Sequence, residues 1–331
     1  MDTFEMIAKK SKKRNIKRIL LWSLVSIFAT LAILLGIHIL LGRMQTHQYF
    51  RAYEHYEHQA GIAYPNIETA THHTTPTGLY SSIFTMDRIK DLDGAKVAYE
   101  PLNIYLNSRY FYGDPNKDSF SNYSLKNREK SISYTRGNMI KVPLFFNTKV
   151  RYEKDEPQNK PSQELPLVQQ MKGQLVEVAL TFDKPYTYEE LKTRLPDNLK
   201  KNWYWLGTSS DYDISNLGVD ATYGMVLEET EPEESFKQFK EHLKKAIESG
   251  RGGVTVGAAD SDGKDHTRYD SQKELQYFQK HTDSLKETKF AGVILTGKAE
   301  NFAQLEGKDW IYASSIGAST PNQPYYQLDK E

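Results

Sequence analysis

The chain has 331 residues and a formal charge of zero, with 43 Lys and Arg against 43 Asp and Glu. It contains no cysteine, which excludes disulfides, cysteine nucleophiles and thiolate metal sites. Basic residues are concentrated in residues 1–18 and the rest of the chain is mildly acidic, so nucleic-acid binding, which needs a concentrated basic face, is not predicted.

Residues 19–42 form the most distinctive segment, ILLWSLVSIFATLAILLGIHILLG, with no formal charge. At about 1.5 Å per residue, a helix of this length exceeds the ~30 Å hydrocarbon core of a bilayer. A buried core helix seldom runs this long without a polar face, and a cleaved signal peptide has a shorter apolar region and a small-residue cleavage site. The segment therefore predicts a single transmembrane helix retained as a signal anchor.

The charges on either side of this segment predict its orientation. Seven Lys and Arg precede it, whereas only Arg43 and Arg51 follow within twenty residues. The positive-inside rule then makes residues 1–18 a basic cytoplasmic tail and places the bulk of the chain outside the cytoplasm. His38 lies inside the span near its outer end, and we interpret it as a neutral imidazole close to the lipid headgroups.

Residues 43–75 are predicted to form a stalk that is helical at first and is then broken at Gly61 and Pro65. Two of its histidines, His55 and His58, share a helix face and have glutamates beside them. A zinc site needs three or four convergent ligands, so we predict no metal site here. The five stalk histidines are His47, His55, His58, His72 and His73.

Residues 76–150 are rich in Val, Ile, Tyr and Phe, with turn residues at 114–116, and they predict a β-rich region. Residues 151–172 are charged and contain prolines, which indicates a linker.

Residues 173–325 alternate between strand and helix patterns, which predicts α/β or α+β structure for this half and α+β for the whole chain. Its best helix carries an apolar stripe, with a capping box at Thr230 and Glu233 and a stop at Gly250. A second helix is expected to open at Ser271, with Glu274 three residues on. The stripe of the first helix consists of Phe236, Phe239, Leu243 and Ile247. The expected strands cover 173–183, 202–208, 290–297 and 309–319, with a further helix over 186–195.

Two glycine-containing segments resemble nucleotide-binding loops only superficially. Residues 292–299 come within one residue of the P-loop pattern, but their Val, Ile and Leu favour a strand and Ala299 replaces the magnesium-binding hydroxyl. Residues 250–257 carry Thr255 where the dinucleotide-binding pattern needs its last glycine. We predict a strand and a turn, and no cofactor.

Catalytic patterns are also missing from the sequence. Ser314 and Ser315 lack the glycines of a nucleophile elbow, and the histidines of this half (His242, His266 and His281) show no arrangement with Ser and a carboxylate. We therefore predict that the protein is not an enzyme and assign no catalytic, cofactor-binding or metal-binding residues.

Several of these segments resemble a known family. Residues 173–191 (GQLVEVALTFDKPYTYEEL), 203–205 (WYW) and 305–318 (LEGKDWIYASSIGA) resemble the sigma factor regulator C-terminal domain, and residues 4–150 look like its companion N-terminal region. The pair is characteristic of membrane-bound anti-sigma factors of Gram-positive bacteria. The resemblance implies an outer domain that responds to envelope stress and an inner segment that restrains an extracytoplasmic-function sigma factor. It implies no catalytic residues.

The tail constrains how a sigma factor is held. A stable interface takes roughly 20–30 residues a side, and 18 residues precede the span. The contact is therefore expected from a small helix that extends the span inward, or from a small membrane co-regulator. Membrane lipid is a further expected partner of the basic tail, and a homo-oligomer remains open. The alternatives are a surface-anchored binding or structural module without a transcriptional role, and an anchored hydrolase.

Overall fold

The computed structural model describes residues 2–113, 120–123, 132–135, 138–150, 160–250, 253–259 and 265–330. Its first element is one uninterrupted helix, α1 (Asp2–Ala60), of 59 residues. Among the described residues this helix alone is long and apolar enough to cross a membrane, and its apolar stretch is not buried by any other part of the protein. At about 1.5 Å per residue it measures roughly 88 Å, so it extends well beyond a bilayer.

A four-stranded antiparallel sheet, here the first sheet, follows α1 in the order β1-β2-β3-β4. Strand β1 begins within the segment predicted as a stalk and is exposed along its whole length. Two further strands, β5 and β6, pair with each other. The strands are β1 (Glu68–Gly78), β2 (Ser81–Leu92), β3 (Ala95–Asn107), β4 (Phe111–Gly113), β5 (Phe120–Tyr123) and β6 (Ile132–Thr135).

The first sheet is packed on the part of α1 that follows the apolar stretch. Ala52 and Phe84 have no exposed surface, and the ring of Tyr49 lies 4.9 Å from that of Phe84 in an edge-to-face contact. Strand β2 alternates inward and outward side chains as a half-buried strand does. These apolar contacts attach the sheet to the helix.

The C-terminal half contains a five-stranded sheet in the order β13-β7-β12-β8-β9, in which every pair is antiparallel. The prediction of an α+β fold is confirmed, and the antiparallel pairing excludes the α/β alternative for this half. Strands β10 and β11 form a separate hairpin. The strands are β7 (Gln174–Thr187), β8 (Lys200–Trp205), β9 (Gly224–Met225), β10 (Thr255–Ala259), β11 (Asp265–Asp270), β12 (Lys289–Lys298) and β13 (Ile311–Pro321).

The helices of this half pack mainly on one face of the sheet, while the segment around Phe145 covers the other. Gly250 ends α4 in the left-handed conformation (φ 57°), as predicted. The apolar stripe of α4 is also confirmed: its first three residues are buried and its fourth packs against the core. The helices are α2 (Leu165–Val168), α3 (Tyr188–Arg194), α4 (Pro232–Ser249) and α5 (Ser271–His281), with a 3-10 helix over Ala299–Leu305.

Helix α5 begins at Ser271, as predicted, but the capping expected for α4 was wrong. Helix α4 has Pro at its start and no side-chain cap from its N-cap residue, so the expected capping box at Thr230 and Glu233 does not form. Asp270, one residue before the predicted start, caps α5. Glu274 instead accepts hydrogen bonds from the backbone and hydroxyl of Ser209, both at 2.6 Å, because tertiary contacts compete for the same carboxylate.

Some sequence expectations lie outside the described residues, namely the turn at 114–116, the first half of the linker (151–159) and residues 251–252. In the second half of the linker, Leu165 and Val168 on α2 are buried.

The contact between α1 and the first sheet leads to a prediction. Phe84→Ala is expected to cost roughly 3–5 kcal/mol, since it removes a fully buried ring. Amide hydrogen exchange of β2 and β3 in the full-length protein should accelerate, while β7 and β12 keep their protection. Phe50→Ala is the matched control, because the ring of Phe50 on the same helix is 57% exposed. Equal exchange in the two variants would contradict this packing.

Candidate functional site

The turn between β2 and β3, at the end of the hairpin away from the apolar stretch of α1, enters the C-terminal half beside its five-stranded sheet. There Lys90 Nζ lies 2.6 Å from Glu177 Oε1 and 2.8 Å from Oε2. The two side chains are 2% and 0% exposed. Burial lowers the pKa of Lys90, and the charge and hydrogen bond of Glu177 oppose this change. A buried ion pair therefore joins the N-terminal and C-terminal parts of the chain.

Two further donors saturate the carboxylate of Glu177. Asn66 Nδ2 donates to Oε1 at 2.9 Å, and the backbone N–H of Ala318 donates to Oε2 at 2.9 Å. The preceding residue, Gly317, lies so close that a Cβ atom there would collide with this carboxylate. Strand β13 thus accommodates Glu177 through a glycine and a buried backbone N–H group that lies at the register shift between Ile316 and Ser319.

A buried network of amides surrounds the ion pair. The side-chain nitrogens of Asn66 and Asn202 both donate to the carbonyl oxygen of Asp91, at 3.0 and 3.1 Å. Asn202 also donates to Asn66 Oδ1 at 3.0 Å and accepts from Thr296 Oγ1 at 2.6 Å. Because these groups come from the chain after α1, from β2 and from two strands of the C-terminal sheet, they fix the three parts relative to one another.

Asp91 carries a second set of ion pairs. Its Oδ2 lies 2.6 Å from Lys200 Nζ and 2.9 Å from Lys96 Nζ. Burial alone would raise the pKa of Asp91, but the hydrogen bonds from both lysines hold it below its usual range. Lys200 Nζ also lies 2.5 Å from Asp329 Oδ2. This second ion pair connects the C-terminal segment to the same site.

Asp93 is the unusual group of the site. Its side chain is fully buried, Oδ1 accepts from the backbone N–H of Lys330 at 3.0 Å, and Oδ2 has no hydrogen-bond partner. Burial, with the nearby charges of Asp329 and Asp91, raises the pKa of Asp93 to about 7. This carboxyl titrates near neutral pH at the point where the hairpin meets the C-terminal segment.

The end of α1 meets α4 through two histidines. His58 Nδ1 lies 3.1 Å from His242 Nδ1. Gly61 allows this approach, because a Cβ atom there would collide with the ring of His242. Burial and then the charge of His58 lower the pKa of His242, while Glu57 and Glu241 oppose this. The close nitrogen pair favours a state in which one ring donates and the other accepts.

We call the region in which α1, the first sheet and the C-terminal half meet the junction. A cavity of about 850 Å³ lies along it. It is bounded by α1, β1, β8, α4 and the C-terminal segment, and its wall combines aromatic rings with the paired charges described above. The volume is within the range of small-molecule sites. Representative lining residues are Tyr53, Tyr64, Lys200, Trp203, Phe239 and His242.

Of the histidines considered from the sequence, His58 and His242 are brought together. His72 packs edge-on against Phe84, with the rings 5.7 Å apart, and His73 Nδ1 lies 3.5 Å from Asp87 Oδ2. Within the described part of the chain, no three His, Asp or Glu side chains converge as metal ligands.

The other segments examined for chemistry take part in secondary structure or local packing. Residues 292–298 lie in β12 and Ala299 opens the 3-10 helix, as the strand prediction required. Ser314 Oγ accepts from the backbone N–H groups of Glu164 and Leu165. His281 stacks on Tyr277 at 4.0 Å.

Sequence reasoning missed the residues of the junction, although a signal was present. In β2 the inward positions Phe84 and Met86 are followed by Arg88 and Lys90 in the same alternation, and all four are buried. Charged side chains at inward positions of a strand indicate a buried partner. The partner, Glu177, interrupts the buried apolar run of residues 175–180 in β7.

Removing one partner of the ion pair tests the junction. Lys90→Met leaves Glu177 buried without its counter-charge and is expected to cost roughly 3–5 kcal/mol. Lys90→Met with Glu177→Gln should recover part of this loss, because no buried charge remains. Denaturant unfolding of the full-length protein measures both. Lys237→Met, at an exposed ion pair, is the control and should change little; a similar loss there would contradict the argument.

The raised pKa of Asp93 predicts that the stability of the folded protein depends on pH. Between its ordinary pKa of 3.8 and about 7, the folded protein holds a proton that the unfolded chain has lost, so stability falls as the pH rises through this window and levels off above it. Asp93→Asn should remove this decline in the melting temperature between pH 5 and 8. Exposed Asp309→Asn should retain it. An unchanged slope in Asp93→Asn would show that another group is responsible.

Comparisons with known proteins bear on both halves of the chain. The family model described as sigma factor regulator N-terminal matches residues 5–97, and the one described as sigma factor regulator C-terminal matches residues 167–318. Comparisons with curated proteins and with solved structures gave no match. The Lys90–Glu177 ion pair joins the two matched regions, and Glu177, Gly317 and Ala318 lie in the segments whose resemblance was noted in the sequence. The chain belongs to the sigma factor regulator family, whose members are regulators of the anti-sigma type that interact with sigma factors.

Proposed function

We propose that this protein is a membrane-anchored anti-sigma regulator that controls an extracytoplasmic-function sigma factor. The N-terminal part of α1 lies in the cytoplasm and restrains the sigma factor, directly or through a small membrane partner. The two sheets lie on the other side of the membrane and sense a change in the cell envelope. The basic residues before the apolar stretch support this orientation.

The observation that carries the proposal is the continuity of α1. The same helix contains the apolar stretch, buries Ala52 under the first sheet and brings His58 to α4. A change at the junction therefore acts on an element that also reaches the opposite side of the membrane.

The segment before the apolar stretch offers a small contact surface. Phe4 and Ile7, one helical turn apart, are 85% and 67% exposed, and Met6 is 67% exposed. Exposed apolar side chains on a helix fit a groove on a partner protein. The lysines and arginines around them add contacts to acidic groups of the partner and to anionic lipid.

The cavity at the junction is the proposed sensing site. Its walls come from α1, the first sheet and the C-terminal domain, so a ligand or a protein segment that enters it has different contacts when these parts shift. Differential contact with two arrangements is what allows a ligand to move an equilibrium. In this proposal the unit over 173–325 is a sensor and not an enzyme, and 43–75 transmits its state.

The test is binding of purified sigma factors from the source organism to the full-length protein in nanodiscs. Phe4→Asp with Ile7→Asp should abolish the binding that the unchanged protein shows. Thr3→Asp with Ser11→Asp adds the same charge at polar positions of the same segment and should retain most of it. All seven basic residues are kept in both variants, so the orientation signal is preserved.

No binding by the unchanged protein, alone or with co-expressed membrane partners, would contradict the anti-sigma role. It would favour a surface-anchored binding module built around the cavity. Equal binding by both charge variants would contradict the assignment of the contact to Phe4 and Ile7.

A further inference from the structure

The β1–β2 hairpin extends back along α1 toward the apolar stretch of that helix. Gln45 Nε2 donates to Ser82 Oγ at 3.0 Å. Nearer the hairpin tip, His38 Nδ1 lies 3.1 Å from Tyr80 Oη, and the two rings are 5.7 Å apart. The hairpin thus contacts the helix inside the uncharged segment 19–42.

The depth of this contact follows from helix geometry. His38 stands four residues before Gly42, which at ~1.5 Å per residue is about 6 Å inside the end of the apolar stretch. A bilayer that covers this stretch places His38 at the boundary between headgroups and acyl chains. Tyr80 and its neighbour Leu79 are then at the same depth.

The side chains at this end of the sheet suit such a boundary. Leu79 is 75% exposed, although a leucine at a soluble turn gains nothing from exposure. The pairing of Ser81 with Asn107 brings the β3–β4 turn to the same end. That turn exposes Arg109, and Tyr110 is 56% exposed.

The residue types in these two turns are those that are enriched at membrane–water interfaces. Tyrosine is enriched at the headgroup level, where its ring is in apolar surroundings and its hydroxyl is hydrated. Arginine pairs with lipid phosphate while its stem lies on apolar surface. Beyond the second turn, Tyr112 is 51% exposed and stacks on Tyr105 at 5.2 Å, which extends the aromatic edge.

We propose that the β1–β2 and β3–β4 turns form a lipid-binding edge, with Leu79 and Tyr80 inserted in the headgroup–acyl boundary of the bilayer that α1 crosses. The occupant is the membrane itself, because the edge is continuous with the lipid-facing surface of the helix. The first sheet then bridges the bilayer and the junction: one end contacts lipid and the other carries Lys90 and Asp93 into the C-terminal domain.

The absence of native cysteine permits a clean test. Leu79→Cys in the full-length protein carries a fluorescent label, and nanodiscs are prepared with lipids that bear a nitroxide high on the acyl chain. Tyr325→Cys is the matched control, because Tyr325 is 74% exposed against 75% for Leu79. A label on Ile33→Cys, within the apolar stretch, tests whether that stretch lies in the bilayer. A thermal melt of each labelled protein verifies its fold.

The expected result is a loss of fluorescence at positions 33 and 79 and none at 325, with position 79 also shielded from aqueous iodide. Quenching at 33 with none at 79 would overturn the lipid-binding edge and leave the span and the proposed function intact. Shielding of 79 from iodide without nitroxide quenching would indicate a protein contact and would also overturn it. No quenching at 33 would contradict the span, and with it both proposals.

Discussion

The arrangement of this protein depends on the ion pair between Lys90 and Glu177. Both groups are withdrawn from water, which is unfavourable for each alone and acceptable only while they are paired and hydrogen-bonded. The carboxylate accepts four hydrogen bonds from three groups: two from the lysine, one from Asn66 and one from the backbone of Ala318. Separating the first sheet from the C-terminal domain would leave these groups unpaired, so the two parts are held in one arrangement.

The titratable groups beside this ion pair differ in how well their charges are paired. Asp91 is held charged by lysines, whereas Asp93, two residues on, is buried with one oxygen unpartnered and titrates near pH 7. The His58–His242 contact adds a second group that is sensitive to protonation, where α1 meets α4. The junction thus combines a fully paired buried ion pair with two groups, Asp93 and His242, whose pKa values burial shifts toward the uncharged form.

The family assignment and the geometry support each other. The regions matched by the two family models meet at the junction, and α1 connects that junction to the apolar stretch. The first sheet and α4 contact the C-terminal part of α1, and the tip of the β1–β2 hairpin contacts the same helix at His38, within the apolar stretch.

The sequence alone determined the apolar helix, the α+β class, the α4 stripe and its glycine stop, because these follow from composition and from periods of 3.6 and 2 residues. It also indicated the family through segments such as 305–318. Only the tertiary structure brought Lys90 to Glu177, His58 to His242 and Tyr80 to His38. These pairs are separated by 87, 184 and 42 positions, and no local pattern specifies which distant group meets a buried charge. The same is true of Glu274. Its carboxylate accepts hydrogen bonds from Ser209, a residue distant in the sequence, and local spacing does not predict this partner.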